Sequence, residues 1–116
     1  MNLREKFLKN NTLKQEETTF LGEKVIVKEL TGEQRDAFES SLSKIVGKTV
    51  HQNLKNVRAK LVVKSLYDLE GNRIFEDADL EAVGNLSASE LDKVFAIAQR
   101  ISGLSNSDID DLAGNL

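Results

Sequence analysis

SASELDKVFAIAQRISGL, residues 87–104, carries its own start, apolar face and stop. Ser87 and Glu90 stand at capping-box spacing, so a hydroxyl can accept from one orphan N–H while a carboxylate reaches back to another. Leu91, Val94, Phe95, Ala98 and Ile101 then recur at helical intervals as one apolar stripe. Gly103 followed by Leu104 has the form of a Schellman ending, with glycine in the left-handed position and the next apolar side chain folding back. An amphipathic helix is predicted here, and it must bury its face against other elements.

Those elements are predicted upstream. Val25, Ile26 and Val27 form a β-branched run after Gly22, which marks a strand over residues 24–30 with residues 18–21 as its hairpin partner. Thr31 and Gln34 repeat the capping-box spacing, and Phe38, Leu42, Ile45 and Val46 follow on one helical stripe as far as Gly47. A second helix is expected over residues 50–66, with Val50, Leu54, Val57 and Leu61 on its inner face. Gly71-Asn72 can supply the positive φ of a small central hairpin, and Asp77 or Asp79 can cap a short helix that Gly84 ends. The expected architecture is α+β: a mostly helical single domain with an N-terminal strand or hairpin and a small central hairpin. Residues 1–15 read as a flexible basic arm, 16–104 as the domain, and 105–116 as a weakly helical tail begun by Ser105 and Asp108.

With 116 residues, 40% of them hydrophobic and 30% charged, the chain suits one globular core built without staples. Cysteine is absent, which excludes disulfides, thiol chemistry and cysteine-ligated metal sites. His51 is the single histidine and there is no cysteine for it to activate, so neither a catalytic residue nor a metal site nor a cofactor site is assigned. Asp68, Glu70 and Asn72 resemble a scrap of a calcium loop, but Gly71 comes too early and Arg73 intrudes, so a turn is the reading adopted. The glycines stand singly, without the cluster and lysine that cradle phosphates. No apolar run approaches a membrane span, and residues 1–12 lack the apolar core of a secretion signal. The expectation is a non-enzymatic protein that stays where it is made.

Net charge is only −3, but its distribution is uneven. Lys44, Lys48, Lys55, Arg58, Lys60 and Lys64 fall in a stretch without acids, while Glu76, Asp77, Asp79, Glu81, Glu90 and Asp92 fall in one without bases. A basic helix over residues 44–64 could neutralise phosphates, which makes a small nucleic-acid-binding regulator the alternative function. Nucleic acid is disfavoured as a partner, because one arginine and no interleaved aromatic offer little base readout or stacking. Head-to-tail self-association is a further expectation, with Lys48, Lys55, Arg58, Lys60 and Lys64 of one copy facing Asp77, Asp79 and Glu81 of the next. Leu104, Ile109 and Leu112 near the C-terminus, like Leu3, Phe7, Leu8 and Leu13 in the arm, are candidates for contact with a partner helix.

Three segments carry a family resemblance. Lys28-Glu29-Leu30-Thr31-Gly32-Glu33-Gln34-Arg35-Asp36 resembles the strand-to-helix junction of bacteriophage tail assembly chaperones. Asn56-Val57-Arg58-Ala59-Lys60-Leu61-Val62, leading through Tyr67-Asp68 to Gly71-Asn72-Arg73-Ile74-Phe75, and then residues 87–104, follow in the same order. The likeness spans residues 25–104 and rests on several moderately specific segments. It implies a protein that binds the tape measure protein, keeps that long helical chain soluble and helps recruit tail tube proteins in the host bacterial cytoplasm. It also implies absence from the mature virion and, for this chain, the short form of a product that is often extended by a ribosomal frameshift. No catalytic residue comes with the resemblance.

Overall fold

Two six-residue strands joined by a two-residue turn begin the fold. In the computed structural model, which describes residues 2–46, 49–52 and 56–104 and only the backbone of 43–46 and 49–52, β1 is Gln15–Phe20 and β2 is Glu23–Lys28. They pair antiparallel, from Gln15 opposite Lys28 to Phe20 opposite Glu23. Leu21 and Gly22 take φ of +50° and +89°, the left-handed pair of angles that lets a two-residue loop match the strands' twist. Glycine accommodates this without strain, whereas a residue with a Cβ gives up about 1–2 kcal/mol there. β5 (Leu66–Tyr67) joins the other edge of β2, giving the antiparallel order β1-β2-β5.

α2 (Gly32–Ser41) starts as expected: Thr31 N–H donates to Gln34 Oε1 at 2.9 Å, and Gln34 N–H donates to Thr31 Oγ1 at 3.1 Å. It ends earlier than its apolar stripe suggested. Phe38 and Leu42 are fully buried, but Ser43–Val46 (β3) and Thr49–Gln52 (β4) pair as a separate antiparallel hairpin, with Ile45 opposite Val50 and Val46 opposite Thr49. Residues 43–46 are therefore not helical, and the next helix does not begin at Val50. β-Branched Ile45, Val46, Thr49 and Val50 lose side-chain freedom in a helix and fit a pleated strand pair better. Gly47 and Leu54, expected as a helix stop and a core position, lie outside the described residues.

α3 (Val57–Ser65) runs through the middle of the domain, with Ala59, Leu61, Val62 and Val63 buried. It packs against α5 (Ala88–Ile101) and α4 (Leu80–Gly84), the latter led in by a single 3-10 turn at Asp77–Asp79. Val27, Phe38, Leu61, Leu66 and Val94 are each fully buried in one shared core. Removing each such side chain from water contributes on the order of 1.5–3 kcal/mol. The Gly71 turn forms as expected, with Gly71 at φ +90° and the Asp68 carboxylate accepting from the N–H groups of Glu70 and Asn72. Its outgoing side reduces to a single bridge between Tyr67 and Arg73, so the hairpin's regular partner for Leu66 and Tyr67 is β2.

α5 keeps its predicted face and stop. Leu91, Val94 and Ala98 are buried, Phe95 and Ile101 half-buried. Gly103, at φ +72°, donates to Arg100 O at 3.2 Å, and Leu104 N–H donates to Gln99 O at 2.8 Å, both bonds of the Schellman motif. The predicted start is corrected: Ser87 makes no side-chain cap, and Glu90 instead accepts from Leu21 N–H at 3.0 Å. A long-range donor has replaced the local one. The N-terminal arm contains α1 (Leu3–Lys9), capped by Asn2 Oδ1 accepting from Glu5 N–H at 2.9 Å, and none of its residues is buried.

Candidate partner-binding surfaces

The cations of α3 meet acids and carbonyls of their own chain. Arg58 forms an ion pair with Asp92 on α5, across the α3–α5 contact. Lys60 Nζ donates to Ser41 O at 2.8 Å, which satisfies a carbonyl at the end of α2, and burial lowers the lysine's pKa from its ordinary value. Lys64 Nζ lies 3.6 Å from Asp77 Oδ1, and Arg73 Nη2 lies 2.5 Å from the same oxygen. Asp77 titrates below the usual aspartate range, chiefly because Arg73 hydrogen-bonds its charged form and secondarily through the Lys64 charge. Basic and acidic segments thus touch within one molecule.

Arg73, an intruder among would-be calcium ligands in the sequence, ties elements of the fold together. Its Nε donates to Val63 O at 2.7 Å while its other end holds Asp77, so one side chain fastens the central turn to α3 and to the 3-10 turn. The four-residue spacing of Arg73 and Asp77 was the available signal. Of the other residues expected at self-contacts, Asp79 accepts from Glu76 N–H at 2.8 Å, Glu81 is exposed, and Lys48 and Lys55 lie outside the described residues.

Two grooves lie on either side of this cluster. One, of about 240 Å³, runs between α2 and α3 over Ala37, Val63 and Leu80 with Lys60 and Lys64 at its edge. It continues through Ala37, Lys64 and Asp77 into a more polar hollow of about 380 Å³ beside Thr31, Gln34 and Arg73. The other, of about 230 Å³, is formed by Phe75, Ala82, Val83 and Leu86 with Asp79 at its rim. Phe75 anchors it to the sheet, its ring meeting that of Phe20 edge-on at 6.4 Å between centroids.

Leu3, Phe7 and Leu8 on α1 are 65%, 71% and 67% exposed, the most exposed large apolar side chains among the described residues. Leu104, a candidate for partner contact, is packed in the core at 3% exposure, folded back by the Schellman turn. Ile109 and Leu112 lie outside the described residues. Among the described residues no group of three or more His, Cys, Asp or Glu is placed to hold a metal ion, and no helix is long and apolar enough to cross a membrane.

The fold is similar to that of the tail assembly chaperone of bacteriophage HK97, with a TM-score of 0.61 and 18% sequence identity over 86% of this chain and 98% of that one. At that identity the likeness establishes a shared fold, over nearly the whole of the chaperone. No protein-family model and no curated protein matches the sequence.

Proposed function

We propose that this chain is a non-catalytic tail assembly chaperone of a long-tailed bacteriophage or prophage, which binds the tape measure protein and helps recruit tail tube subunits. The observation that carries this reading is the fold shared with the HK97 chaperone across 98% of that protein. The junction at residues 28–36 and the central turn at Asp68–Phe75 support it independently, because they resemble the same family in sequence. Apolar grooves edged by charge, at Ala37–Lys64 and at Phe75–Leu86, suit a partner that presents an amphipathic helix. A tape measure protein presents a long series of such helices. The chaperone would act in the host bacterial cytoplasm and leave the tube as it polymerises, so it would be absent from the mature virion.

Co-expression with the tape measure protein of the same phage or prophage tests the proposal. The expected result is a tape measure protein that moves from the insoluble to the soluble fraction and is recovered on the tagged chaperone. A tape measure protein equally insoluble with and without this chain would overturn it. Binding of unrelated DNA duplexes that weakens steeply with salt would instead favour the regulator reading.

A further inference from the structure

We infer that the groove between α2 and α3 takes an amphipathic helix of the tape measure protein that carries two carboxylates one turn apart beside its apolar stripe. The identity of the partner rests on the chaperone reading, whereas the groove and its chemistry come from the residues that line it. Glu33, Ala37 and Ser41 recur every four residues along α2, and Lys60, Val63 and Lys64 stand at i, i+3 and i+4 along α3. Side chains at these spacings make one ridge on each helix, and the furrow between two ridges is the shape into which a third helix packs. The 240 Å³ groove and the 380 Å³ hollow share Ala37, Lys64 and Asp77, so they form one continuous furrow. From Glu33 to Ser41 helix α2 rises about 12 Å, room for two turns of a partner helix. Val63 is buried in the floor, and the exposed methyl of Ala37 leaves the middle of the wall low enough for close approach.

Charge selects the kind of helix. The inner half of the furrow is lined by two lysines and one acid, Asp77. The Lys64 side chain is only 16% exposed, yet its Nζ stands 3.6 Å from Asp77 Oδ1, an oxygen that Arg73 already holds at 2.5 Å. A partner carboxylate can therefore come closer to Lys64 than Asp77 does and strengthen a loosely held cation. Lys60 lies one turn away on the same wall, and its positive charge is already disfavoured by burial, a cost that a nearby carboxylate offsets. Carboxylates four residues apart on a helix have the spacing of this lysine pair. The other acid of the furrow, Glu33, lies on the α2 wall at the end away from Ser41. The Phe75–Leu86 groove would repel the same helix, because Asp79 stands at its rim with Glu76 and Glu81 exposed beside it in sequence. A floor of Ala37, Val63 and Leu80 gives a phosphate backbone nothing to bury, which disfavours nucleic acid as the occupant.

Overlapping peptides of about twenty residues, long enough to form a helix, cover the tape measure protein of the same phage or prophage and test this by fluorescence anisotropy against the full chain. The peptides that bind should carry an apolar stripe flanked by acids at i and i+4. Changing both acids to glutamine should weaken binding about tenfold, and so should Lys64→Glu in the protein. Changing the one peptide acid that faces residue 64 to lysine should restore binding to Lys64→Glu, since the swap rebuilds the pair. Ala37→Glu, at an exposed position, fills the furrow and should abolish binding, whereas Ala82→Glu in the other groove should leave it unchanged. Thermal unfolding confirms that each variant folds, and Lys64→Gln replaces Lys64→Glu if the latter does not.

Peptide binding that survives both Lys64→Glu and Ala37→Glu, or that is lost in Ala82→Glu instead, would overturn the inference while leaving the chaperone reading in place. So would bound peptides that are basic, or an Ala37→Glu variant that changes the chain's own mass in light scattering while binding peptide normally, which would seat a second copy in the furrow. The same holds if no peptide binds although the whole tape measure protein is recovered on the chain. If neither peptides nor the whole protein bind, the chaperone reading itself falls.

Discussion

The Glu90 carboxylate in the first turn of α5 accepts a 3.0 Å hydrogen bond from the Leu21 N–H, at the tip of the β1–β2 hairpin. Lys93 holds the other carboxylate oxygen at 2.9 Å and also donates to Thr19 Oγ1 at 3.0 Å. A small set of polar contacts therefore pins the hairpin tip to the start of α5. A carboxylate whose spacing suggests a local cap instead joins segments 69 residues apart.

That carboxylate gives the fold an acid sensitivity. Glu90 titrates below the ordinary glutamate value of 4.5, first because Lys93 hydrogen-bonds its charged form and then because Leu21 N–H does. A depressed folded value means that the native state keeps its charge to lower pH than the unfolded chain does. The stabilisation is complete above about pH 4.5 and is lost as pH falls through the folded value. Thermal midpoints measured from pH 7 to pH 3 should fall more steeply for the native chain than for Glu90→Gln; parallel curves would refute the assignment.

Leu21 itself is a poor choice for its backbone angle. At φ +50° and 52% exposure it sacrifices conformational preference without gaining much burial. Leu21→Asn should stabilise the domain by about 1 kcal/mol, since asparagine tolerates the left-handed region in two-residue turns. A chemical denaturation midpoint that fails to rise would show that the leucine side chain makes a compensating contact.

Arg73 should govern the titration of Asp77. In Arg73→Ala the carboxyl of Asp77 should move up toward its ordinary value of 3.8, with Lys64 accounting for the residual depression. Losing the bond to Val63 O as well should lower stability by about 1–2 kcal/mol. Carboxyl chemical shifts followed through an acid titration read the first effect, and denaturation reads the second. An Asp77 unmoved by the substitution would assign the depression elsewhere.

The C-terminal apolar residues should separate into two kinds. Leu104→Ala should cost about 2–4 kcal/mol through the cavity it leaves in the core. Ile109→Ser with Leu112→Ser should reduce recovery of the tape measure protein. Unchanged recovery from the double variant would remove residues 109 and 112 from the proposed partner surface.

The sequence announced the elements whose signals are local. Thr31 with Gln34, and Gly103 with Leu104, specify helix ends through bonds within five residues, and both formed as read. Residues 43–52 were misread because Phe38, Leu42, Ile45 and Val46 satisfy helical spacing while Ile45, Val46, Thr49 and Val50 equally satisfy a hairpin. The two patterns conflict there, and β-branching prevails in the folded chain. The pairing of Leu66 and Tyr67 with β2 and the capture of Leu21 by Glu90 join distant segments, so no local pattern foretells them. The grooves were illegible for the same reason: Ala37 with Val63, and Phe75 with Leu86, become neighbours only after the helices pack.

The contacts between the first hairpin and α5 set the order in which this domain can fold. Leu30 N–H donates to Ser102 Oγ at 3.1 Å, Arg100 pairs with Glu16 at 2.6 Å, and Leu21 depends on Glu90. Each of these waits for residues 69 or more positions further along the chain. Closing such long loops is slow relative to forming the local helices. The inner face of the hairpin therefore lacks its final partner until α5 has been made, so the domain closes as one unit rather than hairpin first.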